Sequence, residues 1–223
     1  GTADTTAANS AEEGIADQKQ ISGNVPTKQE TQDKGSGVEG SDTEETPAFT
    51  AEEAAAFELA VGDFAAAMAT DNITMKAIKE YFRKRSGKRP EKVISFSSAT
   101  KYSGAVFEDG SYVLGAPEFI LRESYEEYSS QIERWSRQGF RVLVFAEYPG
   151  TLTGEALTEP ANPLGMILVA NPIREKAPET FRYFAEQGVA IKVISGDNPV
   201  TVSEVAKEAG IEDAEDYVDA STL

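Results

Sequence analysis

Apolar residues recur at helical spacing through two neighbouring stretches of the chain and then change to alternation. Phe57, Val61, Phe64 and Met68 fall on one stripe, with Thr50 and Glu53 placed as a capping-box pair ahead of it. This predicts a helix from just after Phe49 to about Ala69. Asp71 and Asn72 can cap a second helix over about 73–85, striped by Met75, Ile78, Tyr81 and Phe82. Two helices so closely linked predict an antiparallel helical hairpin with one face on a sheet.

The period then becomes two. Val93 to Phe96 and Ser103 to Glu108 read as strands, Asp109-Gly110 as a two-residue hairpin turn, and Tyr112 to Leu114 as the return strand. Gly115-Ala116-Pro117-Glu118 breaks that strand. A helix over about 123–138 carries Tyr125, Tyr128, Ile132 and Trp135 on one side and ends at Gly139. Arg141 to Glu147 predicts another strand, and 149–164 is rich in turn residues.

From Leu164 the pattern reads as a parallel crossover. Met166 to Val169 is a continuous apolar run, the expectation for a strand buried on both faces. A helix over 174–187 closed by Gly188, a second buried strand from Val189 to Ile194, and a helix opening at Pro199 and ending before Gly210 complete it. The predicted fold is an α+β domain, an antiparallel sheet with a helical hairpin, over 48–164, followed by a partial Rossmann-like α/β segment over 165–223. Residues 1–47 stand apart: ten acids face only Lys19, Lys28 and Lys34, with no aromatic residue and few large aliphatics. Such a segment cannot offset its ordering entropy by burial. It reads as an acidic linker or loop insertion, or as a tail that recruits a partner.

Composition narrows the chemistry. The 223 residues contain no His and no Cys, which excludes a zinc site, a thiol nucleophile, a His-based triad and disulfides. A net charge of −17 speaks against general binding to nucleic acid or an anionic bilayer. No apolar stretch approaches the ~18 residues of a membrane span, and no signal-peptide pattern opens the chain. The expectation is an acidic chain of a reducing or redox-indifferent compartment.

Two groups of residues could carry chemistry. In doubly wound sheets ligands sit beyond the carboxyl ends of strands, where Ser195-Gly196-Asp197 is predicted. A hydroxyl, a glycine backbone and a following helix N-terminus suit a phosphoryl oxygen; the same residues also serve ordinary turn and cap geometry. Asn171 and Arg174 form a second predicted strand-end cluster, alternatively a helix start. In the middle domain Phe96, Lys101, Gly115, Ala116 and Arg141 lie at strand ends or turns. A ring, two cations and close backbone approach match a purine nucleotide, although singly Phe96 reads as core, the cations as surface and Gly115 as a turn. The run Arg83-Lys84-Arg85 with Lys88, Arg89 and Lys92 is the cationic end of a helix or a means of steering an anion.

The order of these pieces is more specific than any one of them. Phe96-Ser-Ser-Ala-Thr-Lys101, Tyr112-Val-Leu-Gly-Ala-Pro-Glu118, Arg141-Val-Leu, Asn171-Pro-Ile-Arg174 and Ile194-Ser-Gly-Asp-Asn198 together resemble the catalytic region of cation-transporting P-type ATPases. The resemblance runs from about residue 50 to the end and looks closest to bacterial calcium and magnesium pumps. It implies a nucleotide-binding domain followed by part of a haloacid-dehalogenase-like phosphorylation domain. It also implies ATP as ligand, with Mg²⁺ arriving as the ATP complex and its ligands mostly outside this chain. The partners implied are the remaining phosphorylation, actuator and membrane domains of a parent pump, with this chain as a cytoplasmic piece.

Carried over motif by motif, Phe96 would stack on adenine, Lys101 would line the pocket and Gly115 with Ala116 would wall it. Arg141 would contact the β-phosphate, and Ser195 and Gly196 the transferred phosphoryl group, with Asp197 beside them. Asn171 and Arg174 would sit near an interdomain hinge. The sequence departs from the pattern at Leu114, where relatives often carry lysine, at Asn171, which replaces Asp, and at Ser195, which replaces Thr. Neither the Asp-Lys-Thr-Gly-Thr segment with the phosphorylated aspartate nor the Gly-Asp-Gly-x-Asn-Asp segment occurs. The chain therefore reads as a fragment that binds ATP without hydrolysing it. The alternatives are a free-standing nucleotide-binding regulatory module and a soluble haloacid-dehalogenase-type phosphatase with a cap.

Overall fold

The computed structural model describes residues 50–170 and 173–219, and the backbone of 21–24. Its frame is a six-stranded antiparallel sheet with helices on both faces. In chain order the elements are β1 (Ile21–Asn24), α1 (Ala51–Ala67), α2 (Ile73–Tyr81), β2 (Lys92–Ile94), β3 (Tyr102–Phe107) and β4 (Gly110–Gly115). Then come α3 (Pro117–Leu121), a 3₁₀ turn (Arg122–Glu127), α4 (Ser129–Ser136), β5 (Arg141–Glu147), β6 (Asn162–Val169), α5 (Ala177–Glu186) and α6 (Pro199–Glu208). The strands are ordered β1-β6-β5-β4-β3-β2.

Local chemistry explains the helical hairpin. The Thr50 side chain accepts from the Glu53 N–H while the Glu53 carboxylate accepts from the Thr50 N–H, so the predicted capping box starts α1. Hydrogen bonding to Thr50 also lowers the Glu53 pKa. Asn72 caps α2 through the Met75 N–H. Phe57, Val61, Phe64, Met75, Ile78 and Phe82 then bury against Leu114, Leu143, Phe145, Ile167 and Val169 from one face of the sheet. Phe145 meets Phe57 and Phe64 edge-on at 5.9 and 5.4 Å between ring centres. The striped Tyr81 is exposed instead, because α2 ends there.

The opposite face carries the alternate residues of the same strands. Val142, Val144, Met166 and Leu168 pack with Ile120, Leu121, Tyr128, Ile132 and Trp135 of the α3–α4 region. Successive side chains of a strand point to opposite faces, so β5 and β6 serve both cores and read as unbroken apolar runs.

Four details differ from the expectations. The two-residue turn is Glu108-Asp109, with Gly110 already paired to Phe107, one residue earlier than predicted. Met166 to Val169 is buried on both faces as expected, but it belongs to β6, antiparallel to β5 and β1. Val189 to Ile194 forms no strand and is largely exposed, so the predicted parallel crossover is not formed among the described residues. An extended apolar run becomes a strand only when another strand satisfies its backbone groups, and none lies beside this one among those residues. Finally, Ile21–Asn24, within the stretch expected to be a solvated linker, forms the short edge strand β1. The rest of residues 1–47 lies outside the described residues.

Candidate functional site

The site is built where one end of the sheet meets the loop before α6. Between β2 and β3 the chain turns through residues 95–101, closed by the Lys101 N–H donating to the Ser97 carbonyl at 2.7 Å. Lys101 has a left-handed backbone, φ 56°, unfavourable for a residue with a Cβ by about 1–2 kcal/mol. Its carbonyl accepts from the Ala116 N–H at 3.0 Å, tying this loop to the start of α3. Gly115 pairs with Tyr102, and a Cβ at 115 would lie 2.7 Å from the Tyr102 Cα. Only glycine permits that approach. Phe96 opens the same loop and is exposed rather than core, and the Thr100 hydroxyl is buried without a hydrogen-bond partner.

Arg141 starts β5 at the same end of the sheet. Gly115 pairs with Val144, so Arg141 lies three residues further along, about 10 Å beyond that pair. Its guanidinium reaches the Asp197 carboxylate at 3.1 Å. The Asp197 N–H donates to Ser195 Oγ at 3.1 Å. A Cβ on Gly196 would come within 3.4 Å of Lys101 Nζ. Lys101, Arg141, Gly196 and Asp197 are therefore neighbours, with Ser195 in the same turn.

Helix α6 holds this loop in place. The Asn198 side chain caps it by accepting from the Val200 and Thr201 N–H groups, and Thr201 Oγ1 donates to the Phe140 carbonyl at 3.1 Å. Capping has a chemical consequence: Pro199 has no N–H and Asn198 occupies the next two. The groups left to receive an anion are the Ser195 hydroxyl, the loop backbone and the two cations. The Arg141–Asp197 pair is partly exposed on both sides, and pairs of this kind contribute less than about 1 kcal/mol. It can open at little cost.

Other predicted residues fall elsewhere. Arg174 is exposed, and among the described residues it makes no ion pair with this group; Asn171 lies outside the described residues. Leu114 is buried against the helical hairpin. The cluster from Arg83 to Lys92 lies toward the opposite end of the strands, where Lys88 pairs with Asp109 in the β3–β4 turn at 2.5 Å. That location argues against steering an anion to Lys101. The sequence reading missed the Arg141–Asp197 pairing, the left-handed Lys101 and the orphan Thr100 hydroxyl. Nothing in the spacing signals them.

A family model described as a hydrolase, haloacid dehalogenase-like hydrolase, matches residues 11–223. The chain belongs to the haloacid dehalogenase-like hydrolase family. Within that family it is similar to the calcium-transporting ATPase CtpE of Mycobacterium tuberculosis, 37% identical over 177 residues, which cover 79% of this chain and 22% of the relative. It is also similar to the probable cation-transporting ATPase exp7 of Streptococcus pneumoniae, 40% identical over 133 residues, covering 58% of this chain and 17% of that protein. A third relative is the magnesium-transporting ATPase, P-type 1, of Salmonella typhimurium, 36% identical over 90 residues, covering 37% and 10%. These names agree with the P-type ATPase resemblance carried by the motifs. The chain spans about a fifth of the length of the first of these relatives. No helix among the described residues is long and apolar enough to cross a membrane.

Proposed function

We propose that the chain is the ATP-binding part of a cation-transporting P-type ATPase, holding the nucleotide at the sheet end defined by Phe96, Lys101 and Arg141. The observation that carries this reading is the meeting of Lys101 with Gly196 and of Arg141 with Asp197 at one place. Two cations, a hydroxyl and a glycine turn in one patch suit a polyphosphate, and the exposed Phe96 ring offers a stacking face.

In this reading Phe96 receives the adenine and Lys101 lines the pocket against the wall made by Gly115 and Ala116. Arg141 releases Asp197 and takes the β-phosphate; Ser195 and Gly196 receive the terminal phosphoryl group. Asp197, once released, lies beside the nucleotide. Arg174, with Asn171, belongs near the hinge to the rest of the parent. The parent transfers the phosphoryl group to an aspartate, a reaction governed by positioning and charge neutralisation. The Asp-Lys-Thr-Gly-Thr nucleophile segment does not occur in this sequence, so this chain binds ATP without forming a phosphoenzyme. No group of three or more acidic, His or Cys side chains among the described residues could hold a metal. Mg²⁺ would arrive as the ATP complex, with its ligands mostly outside this chain. The remaining domains of the pump are the partners, and the chain faces the cytoplasm.

Calorimetric titration with ATP tests the reading. Phe96→Ala should weaken binding about tenfold, the scale of one aromatic contact at ~1–2 kcal/mol, and Lys101→Met by a similar factor. Unchanged affinity in both variants, with the fold intact by circular dichroism, would overturn the assignment.

A further inference from the structure

The loop between β5 and β6 walls a cavity that nucleotide binding at Lys101 and Arg141 leaves unused. Glu147 pairs with Asn162 where the two strands meet the loop, so residues 148–161 leave and re-enter the sheet side by side. Loops with their ends together and their own side chains packed inside are compact units that often carry function. Leu152 and Leu157 bury with Tyr102 and Tyr148 in the core on the α3–α4 side of the sheet. Tyr102 Oη donates to the Glu155 carbonyl at 2.7 Å, and Tyr148 Oη accepts from the Thr158 N–H at 3.1 Å. Lys92 Nζ donates to the Leu152 carbonyl at 2.6 Å, and the Arg122 guanidinium donates to the Leu157 carbonyl.

These bonds fix the walls of a cavity of about 310 Å³, at the small end of ligand-sized clefts. Tyr102, Tyr148, Ala156 and Leu157 give it rings and apolar surface, and Glu155 and Glu159 give it charge. Both tyrosine hydroxyls are engaged by the loop, so ring surface is what the tyrosines have left to offer. Glu155 and Glu159 make no ion pair among the described residues, and no Lys or Arg among them lines the cavity. The local field is negative: burial, then the neighbouring Tyr148 and Glu155, push the Tyr102 hydroxyl pKa up. Anions, nucleotides included, are disfavoured here. A bare metal ion fits poorly too, since no group of three or more acidic, His or Cys side chains among the described residues could hold one. An alkylammonium group matches the lining. Aromatic rings attract its diffuse charge, its methyls meet Ala156 and Leu157, and carboxylates balance it without the close coordination a metal needs.

We propose that this cavity binds a small methylated ammonium cation, held by the Tyr102 and Tyr148 rings and the Glu155 and Glu159 carboxylates. The site is independent of the nucleotide position at Lys101 and Arg141, whose cations it lacks.

Titration of the full chain with tetramethylammonium chloride, at total chloride held constant with sodium chloride, tests this by amide and tyrosine-ring chemical shifts. Saturating shifts should concentrate at Tyr102, Tyr148 and residues 151–159. Affinity should fall about tenfold in Glu155→Gln/Glu159→Gln, the combined scale of two exposed charge pairs. Both side chains are exposed, so this variant keeps the fold. Potassium chloride and the neutral isostere 2,2-dimethylpropan-1-ol should each bind about tenfold more weakly than tetramethylammonium. Shifts that never saturate, or that potassium reproduces equally, would overturn the proposal. Equal binding of the neutral alcohol would make the cavity merely apolar and overturn it as well. Unchanged affinity in the double variant would do the same.

Discussion

Two runs that both read as buried strands, Met-Ile-Leu-Val at 166–169 and Val-Ala-Ile-Lys-Val-Ile at 189–194, meet opposite fates in this molecule. Met166 to Val169 is fully enclosed, whereas Val189 to Ile194 pairs with no strand among the described residues, with Val193 half exposed and Ile194 97% exposed. The second run carries Lys192, but its remaining residues are as strand-prone as those of the first. β6 has β5 on one side and β1 on the other, with helices above and below. The second run has neither strand partner among the described residues. Burial and pairing come from neighbours, and a sequence window holds only one side of that contract.

The largest test of this contrast is truncation of matched side chains. Ile167→Ala should cost about 2–5 kcal/mol in urea unfolding, as for a buried aliphatic deletion. Ile194→Ala should stay within about 0.5 kcal/mol, as for an exposed site. Equal losses would mean that the second run is buried after all. A smaller effect is expected at the junction between the two regions. Thr201→Val removes the hydrogen bond to the Phe140 carbonyl and should cost about 1 kcal/mol. Amide hydrogen exchange should quicken in α6 while β5 and β6 keep their protection. If β5 and β6 loosen equally, the two regions unfold as one unit.

The smallest effect concerns pH. Hydrogen bonding from Lys88 lowers the Asp109 pKa below the ordinary carboxylate range, and Asp109 in turn raises that of Lys88. Depression of the acid means that its contribution is present above the unfolded pKa, about 4, and is lost as pH falls through the folded value. Elevation of the lysine means that its contribution is complete below its unfolded pKa and is lost as pH rises through the folded one. Both groups are solvent-screened, so Asp109→Asn should cost less than about 1 kcal/mol near pH 6. That difference should shrink below about pH 4. A difference that grew on acidification would contradict the assigned sign.

Local signals proved readable where the chain supplies its own partner. Thr50 and Glu53 cap each other three residues apart, and the stripe from Phe57 to Met68 needs only a flat surface beneath it. The β3–β4 turn shifted by one residue because the strand pairing set its register rather than the dipeptide. β1 was hidden by averaging: four residues suffice to cover the open edge of β6, and composition over a long acidic stretch does not reveal them. At the candidate site, residue types and strand ends were legible. Contacts across the chain were not. That Arg141 meets Asp197, and Lys101 approaches Gly196, follows from how α6 docks on Phe140, a tertiary fact with no sequence period.

The proposed function requires one nucleotide to bridge the loop at 96–101, Arg141 and the turn at 195–197. Backbone amide chemical shifts recorded during an ATP titration test it most directly. Perturbations should appear together at Phe96 to Lys101, Gly115-Ala116, Arg141 and Ser195 to Asp197, with one common dissociation constant. Shifts confined to other surfaces, or two groups titrating with different constants, would contradict it.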